Sequence, residues 1–290
     1  PLVSLEQARA NCPPLWSPQP ATTSPSPPGL PAVVLAKAGS QNPPRPDRLG
    51  VHVFENYPLE EIVPYIDWSP FFHAWQIRGL FPKLLEDEKK GPEARELYDN
   101  ARRMLERIDR EKLLRASCVV GLWPAADDGD DVIVYEDDSR RRELARWHFL
   151  RQQTAKEEGN PYWCLADFVA PVASGLEDYV GAFAATAGHG APELAARFEQ
   201  QNDVYSAIMV KALADRLAEA LTELLHKRVR EWWGYGKDEN LSVDDLLREK
   251  YRGIRPAPGY PACPDHAEKA TLWKLLDAEP GDRSPKADLS

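Results

Sequence analysis

The sequence predicts an α+β domain. Short β-branched and aromatic runs come first, and a single long amphipathic helix follows them. A stiff loop with prolines at positions 256, 258, 261 and 264 then stands where neither a helix interior nor a central strand can form.

The elements follow in order. Prolines crowd the stretch from Pro13 to Pro46 among Ser, Ala and Thr, so residues 12–48 are expected to be a mostly disordered linker. Globular text begins at Val51. Residues 58–66 and 92–112 have helical spacing, with Leu97, Ala101, Met104, Leu105 and Ile108 forming one apolar stripe. The runs Cys118–Trp123 and Val132–Tyr135 flank Asp128-Gly129-Asp130-Asp131 and predict a hairpin. Residues 163–169 and 179–186 read as two further strands. A long helix is expected over 203–232, burying Met209, Leu213, Leu217, Ala220, Leu224 and Leu225. Short helices at 242–250 and 266–277 flank the proline loop.

Composition removes several functions. The chain has 290 residues, 43% hydrophobic and 28% charged, ordinary values for a soluble globular protein. Its net charge of −10 disfavours nucleic acid, whose phosphates need a basic face. No apolar run approaches the roughly 18–20 residues of a membrane helix. Four cysteines are too sparse for a disulfide scaffold, and a cytoplasmic setting is expected. There is no P-loop, Gly-x-Gly-x-x-Gly or Gly-x-Ser-x-Gly. Cys263-x-x-His266 lacks the second cluster that a zinc site requires, so zinc is not expected in this chain.

The loop Gly253–His266 holds the densest chemistry. Arg255 is a permanent planar cation that can grip a carboxylate through two hydrogen bonds, or else tie down the loop's own carbonyls. Gly259 permits one sharp reversal, and Tyr260 and His266 add a phenol and an imidazole. Asp67, between Ile66 and Trp68, is either an N-cap or a counter-charge for a cationic ligand. Trp68, Phe71 and Phe72 read as core rather than as a stacking platform. Lys211, Asp215, Glu219, Glu223 and Lys227 recur every four residues, the pattern of a solvated helix face with i,i+4 ion pairs.

Arg255-Pro256-Ala257-Pro258-Gly259-Tyr260-Pro261-Ala262-Cys263-Pro264 resembles a hallmark of the activation domain of cobalamin-dependent methionine synthase. The resemblance extends through Tyr65–Phe72, Leu150–Gln153, Cys164–Pro171, Asp178–Phe183 and Ile208–Ala220, in the family's order over roughly residues 50–277. It implies a curved, mostly antiparallel sheet with packed helices. It also implies a lead-in helix over 1–11, following a cobalamin-binding module, and an activation domain over 49–277.

The resemblance further implies S-adenosylmethionine contacts at Asp67 and Arg255, with Glu249, Pro258, Gly259 and Tyr260 as further contacts. Asp215, Glu219 and His266 would face the cobalamin module. The implied function is reductive methylation of oxidised cobalamin within a methyltransferase, with a flavodoxin-type or diflavin reductase supplying the electron. The cobalamin itself would sit in a partner module. No catalytic residue is expected, because in-line methyl transfer needs position rather than an acid or base. The chain does not begin with Met, and its end over 278–290 departs from the family's closing strand, so a divergent disordered tail and a truncated domain are expected. The alternative is a non-catalytic interaction or relic domain that keeps the scaffold and binds ligand poorly.

Overall fold

Eight helices and five strands are present along the described residues. The computed structural model describes residues 2–12, 43–157 and 159–278. In chain order these are α1 (Leu5–Ala10), β1 (Gly50–Tyr57), α2 (Leu59–Ile62), α3 (Trp68–Ala74), α4 (Gly91–Arg110), β2 (Arg115–Asp128) and β3 (Asp131–Tyr135). They continue through β4 (Glu143–His148), β5 (Asp178–His189), α5 (Ala191–Gln200), α6 (Val204–Trp233), α7 (Val243–Leu247) and α8 (Lys269–Leu275). The strands form one sheet in the order β1-β2-β3-β4, with β5 pairing with β2 off that path. The β2–β3 and β3–β4 pairs are antiparallel, as an α+β domain with a mostly antiparallel sheet requires.

The chain divides into two compact units. The first comprises residues 1–52, 120–183 and 226–280. Its hairpin turns at Gly129, whose φ of +82° suits the tight reversal, and pairs Ala125–Asp128 with Asp131–Val134. Cys118–Trp123 lie in β2 as expected, but they are not the residues opposite β3. The strand is longer than its β-branched run, because Pro124 and the small Ala125 and Ala126 continue it. Tyr162–Ala170 is not a continuous strand. Leu165–Phe168 form a 3-10 turn, held because the Asp167 carboxylate accepts the Cys164 N–H at 2.8 Å. Asp178 is fully buried and accepts the N–H groups of Ala170 (3.0 Å) and Tyr179 (2.8 Å), which satisfies a buried charge through backbone donors.

Arg151 sits at the centre of this unit with only 4% of its side chain exposed. It donates to Asp130 (2.9 Å), to both Asp167 oxygens and to the Tyr162 carbonyl (2.7 Å). The N-terminal segment docks beside it. Val3 N–H donates to the Gln153 carbonyl at 2.9 Å, and Arg9 pairs with Asp130 at 2.7 Å. Helix α1 is closed by a capping box between Ser4 and Gln7. Of the expected linker, residues 13–42 lie outside the described residues. Pro43–Arg48 do not behave as linker: the Asp47 N–H donates to the Trp232 carbonyl, and Arg45 pairs with Asp138 at 2.8 Å. Of the expected tail, residues 279–290 are likewise outside the described residues.

The second unit comprises residues 53–119 and 184–225. Trp68 packs edge-on against Tyr98 (4.8 Å) and Phe71 (5.4 Å), and Phe72 stacks on Phe81. Trp68, Phe71 and Phe72 are buried, as core residues should be. The α4 stripe Leu97, Ala101, Leu105 and Ile108 is buried, whereas Met104 lies at its edge. Leu213, Leu217 and Leu221 on α6 are fully buried, each worth about 1.5–3 kcal/mol. The charged face of α6 makes ion pairs both within the helix and to α5. Lys211 reaches Glu199 on α5 at 2.8 Å, while Lys227 pairs with Glu231 one turn on, at i,i+4.

Candidate functional site

The first unit carries the proline loop, and the loop's shape follows from its residues. Pro256 and Pro258 fix φ and remove two donors. The remaining donors close the loop on itself: Gly259 N–H to the Cys263 carbonyl at 2.8 Å, Cys263 N–H to the Tyr260 carbonyl at 2.9 Å, and Tyr260 N–H to the Ala257 carbonyl at 3.1 Å. Gly259 has φ +108°, and a Cβ there would lie 2.6 Å from Cε1 of His266. Glycine is therefore required both for the turn and for the approach of the imidazole. Ala262 and Cys263 are buried under the turn, and burial, with Glu268 and Asp265 nearby, pushes the Cys263 thiol up to about 11. Tyr260 is 63% exposed and His266 is exposed, so both present to solvent from a fixed frame.

Arg255 is half-buried at the start of the loop. Its entry is built on the C-terminal turns of α6, where His226 and Arg230 are buried. Burial, together with the charges of Arg230 and Arg255, holds the His226 imidazole well below its ordinary pKa, so it is neutral beside the two guanidinium groups. Glu249 is exposed two residues past the end of α7, with φ +55°. The structure thus brings Arg255, Pro258, Gly259, Tyr260 and His266 together on one short rigid segment, with Glu249 preceding it.

Asp67, Asp215 and Glu219 belong to the second unit. Asp67 is the N-cap of α3 and accepts the Ser69 N–H at 2.9 Å, so the capping reading of this residue is realised. Asp215 and Glu219 stand exposed one turn apart on α6. Like charges at that spacing repel, which leaves them suited to a cationic partner.

Sequence reasoning missed Arg230, Glu239 and Tyr251, which build the loop's foundation. Charged residues in polar text read as solvated. The available signal was the i, i+4, i+7 stripe of His226, Arg230 and Trp233 along the last turns of α6. Among the described residues, no group of three or more His, Cys, Asp or Glu side chains could hold a metal ion. No described helix is long and apolar enough to cross a membrane.

The fold is an α+β module whose rigid proline loop presents Arg255, Tyr260 and His266 from one short segment. Residues 58–282 match the family described as the vitamin B12 dependent methionine synthase activation domain, and the chain belongs to that family. It is similar to a crystal structure of the MetH reactivation domain bound to AdoHcy, at 48% identity and a TM-score of 0.82, covering 96% of this chain and 78% of that one. The family is a domain of methionine synthase, a methyltransferase, so the chain forms one part of such an enzyme.

Proposed function

We propose that this domain binds S-adenosylmethionine and presents its methyl group for the reductive methylation of oxidised cobalamin. The observation that carries this reading is the likeness, at 48% identity, to a reactivation domain bound to AdoHcy, the demethylated form of that ligand. Cobalamin, held by a partner module, would supply the nucleophile that takes the methyl. This chain's residues bind and orient the donor. Arg255 holds the ligand's carboxylate, Asp67 offsets its cationic charge, and Glu249, Pro258, Gly259 and Tyr260 frame it. A loop fixed in advance loses little entropy on binding, and positioning of an in-line displacement is worth many kcal/mol.

Asp215, Glu219 and His266 are proposed to face the cobalamin module, and a flavodoxin-type or diflavin reductase to supply the electron. A cytoplasmic setting agrees with four cysteines of which none is in a disulfide. The overall synthesis of methionine needs the other modules and is not assigned to this chain alone.

Calorimetric titration with S-adenosylmethionine tests the reading. Arg255→Ala should weaken binding by about 1.5–3 kcal/mol, the worth of a charged hydrogen bond. Unchanged affinity in a folded variant would remove Arg255 from the site. Asp67→Asn keeps an oxygen for the Ser69 N–H, so weaker binding at unchanged stability isolates its ligand role from its cap. A folded wild-type chain that gives no binding heat would favour the relic-domain alternative.

A further inference from the structure

Arg255 is only as well placed as the backbone that precedes it, and that backbone is fastened by one carboxylate. Glu239 accepts from Nε of Arg230 at 2.9 Å through one oxygen and from the backbone N–H of Arg252 at 3.0 Å through the other. The last turns of α6 are thereby joined to a point three residues before Arg255. Arg230 is 1% exposed, and its guanidinium lies 4.4 Å from the centroid of the Tyr251 ring. Its two terminal nitrogens find no hydrogen-bond acceptor among the described residues, so Glu239 and the face of Tyr251 balance this buried charge.

The same ring receives the edge of His226 at 4.6 Å and 87°. Gly253 follows with φ +100°, and a Cβ there would lie 2.9 Å from the Tyr235 hydroxyl, while the Arg252 guanidinium lies over the Tyr235 ring at 5.6 Å. Residues 251–253 are therefore held against α6 and the turn that follows it. Only Gly253 and Ile254 separate Arg252 from Arg255, and Pro256 stiffens the chain immediately afterwards.

We propose that Glu239 and Arg230 are positioning residues for Arg255, and that this buried pair sets how strongly the domain recognises the α-carboxylate of its ligand. Neither residue touches the ligand. A guanidinium grips a carboxylate through two parallel hydrogen bonds whose strength depends on orientation, so loosening its backbone anchor weakens that grip first. The inference rests on the reading of Arg255 as the carboxylate contact.

The test compares S-adenosylmethionine with decarboxylated S-adenosylmethionine, the same molecule lacking the α-carboxylate, by calorimetry on the full chain. Glu239→Gln keeps the acceptor for the Arg252 N–H but removes the charge facing Arg230. It should weaken S-adenosylmethionine about tenfold and leave the decarboxylated ligand within about twofold. In an Arg255→Ala background the same substitution should add nothing. Equal weakening of both ligands, or no change in either, would overturn the proposal by showing a general structural role or none. If Arg255→Ala leaves the preference for the carboxylate intact, the assignment of Arg255 fails instead, and the two failures are told apart. Should Glu239→Gln not fold, Arg230→Lys retains the charge, loses the planar fork over Tyr251, and is judged by the same two outcomes.

Discussion

Replacing Arg151 with Met tests the buried ion cluster of the first unit. Arg151, Asp130 and Asp167 expose only 4%, 11% and 9% of their side chains, so water screens none of them well. Met fills much of the aliphatic volume but removes the bonds to Asp130, to Asp167 and to the Tyr162 carbonyl. Breaking one partner out of a buried pair costs about 3–5 kcal/mol. Here the lower figure applies, because Asp130 keeps Arg9 and Asp167 keeps the Cys164 N–H. A loss of about 3 kcal/mol corresponds to a fall in Tm of about 6–12 °C in a body of this size. Urea unfolding followed by circular dichroism at neutral pH reads it directly. A cost below about 1 kcal/mol, the range of an exposed pair, would refute the reasoning.

Three further outcomes are expected. Burial, with Asp167, Asp130 and Asp128 nearby, raises the Asp127 carboxyl from 3.8 to about 7, so the folded state keeps a proton that the unfolded chain has released. Stability should therefore decline as pH rises across that window, and Asp127→Asn should abolish the decline in pH-dependent melts, with its largest gain above pH 7 and none below pH 3.8; an unchanged pH profile would show that Asp127 does not titrate there. Gly259→Ala forces a side chain onto His266 at a φ that favours glycine, and should cost about 1–3 kcal/mol of loop strain, read as weaker S-adenosylmethionine binding with little change in global melting. Asp215→Asn should leave ligand affinity unchanged while weakening association with a separately purified cobalamin-binding module in sedimentation; equal association would remove this face from the interface.

The sequence reveals some of this protein well and conceals the rest for physical reasons. Helix α4 was legible because a 3.6-residue apolar stripe has no strand equivalent, and α6 because its stripe runs for many turns. Strand β1 was not, since its burial pattern shows no clean alternation between faces. Helix α5 was missed although Gly190-Ala191-Pro192 is a helix start, with Pro in the first turn and Gly at φ +89° before it. The apolar run at 163–169 imitates a buried strand. Only the pull of Asp167 on the Cys164 N–H, with Arg151 gripping the same carboxylate, turns it into a 3-10 coil, and that depends on a residue 16 positions away. The loop at 253–266 was legible as rigid because prolines act locally. Its foundation was not, because Glu239 clasping Arg230 and the Arg252 N–H is a tertiary event that leaves no periodic trace.

Pro256, Pro258, Pro261 and Pro264 also bear on how quickly a ligand comes and goes. A loop whose backbone is already set needs no search for a binding-competent shape at each encounter, so association proceeds at the pace of collision and orientation. Substitutions that loosen the loop or its footing would reintroduce that search, slowing association as well as shortening the residence time. For a domain proposed to hand one methyl group to a partner module, long occupancy is useful only while that partner is docked. The stiffness of a dozen residues thus sets how long the donor waits.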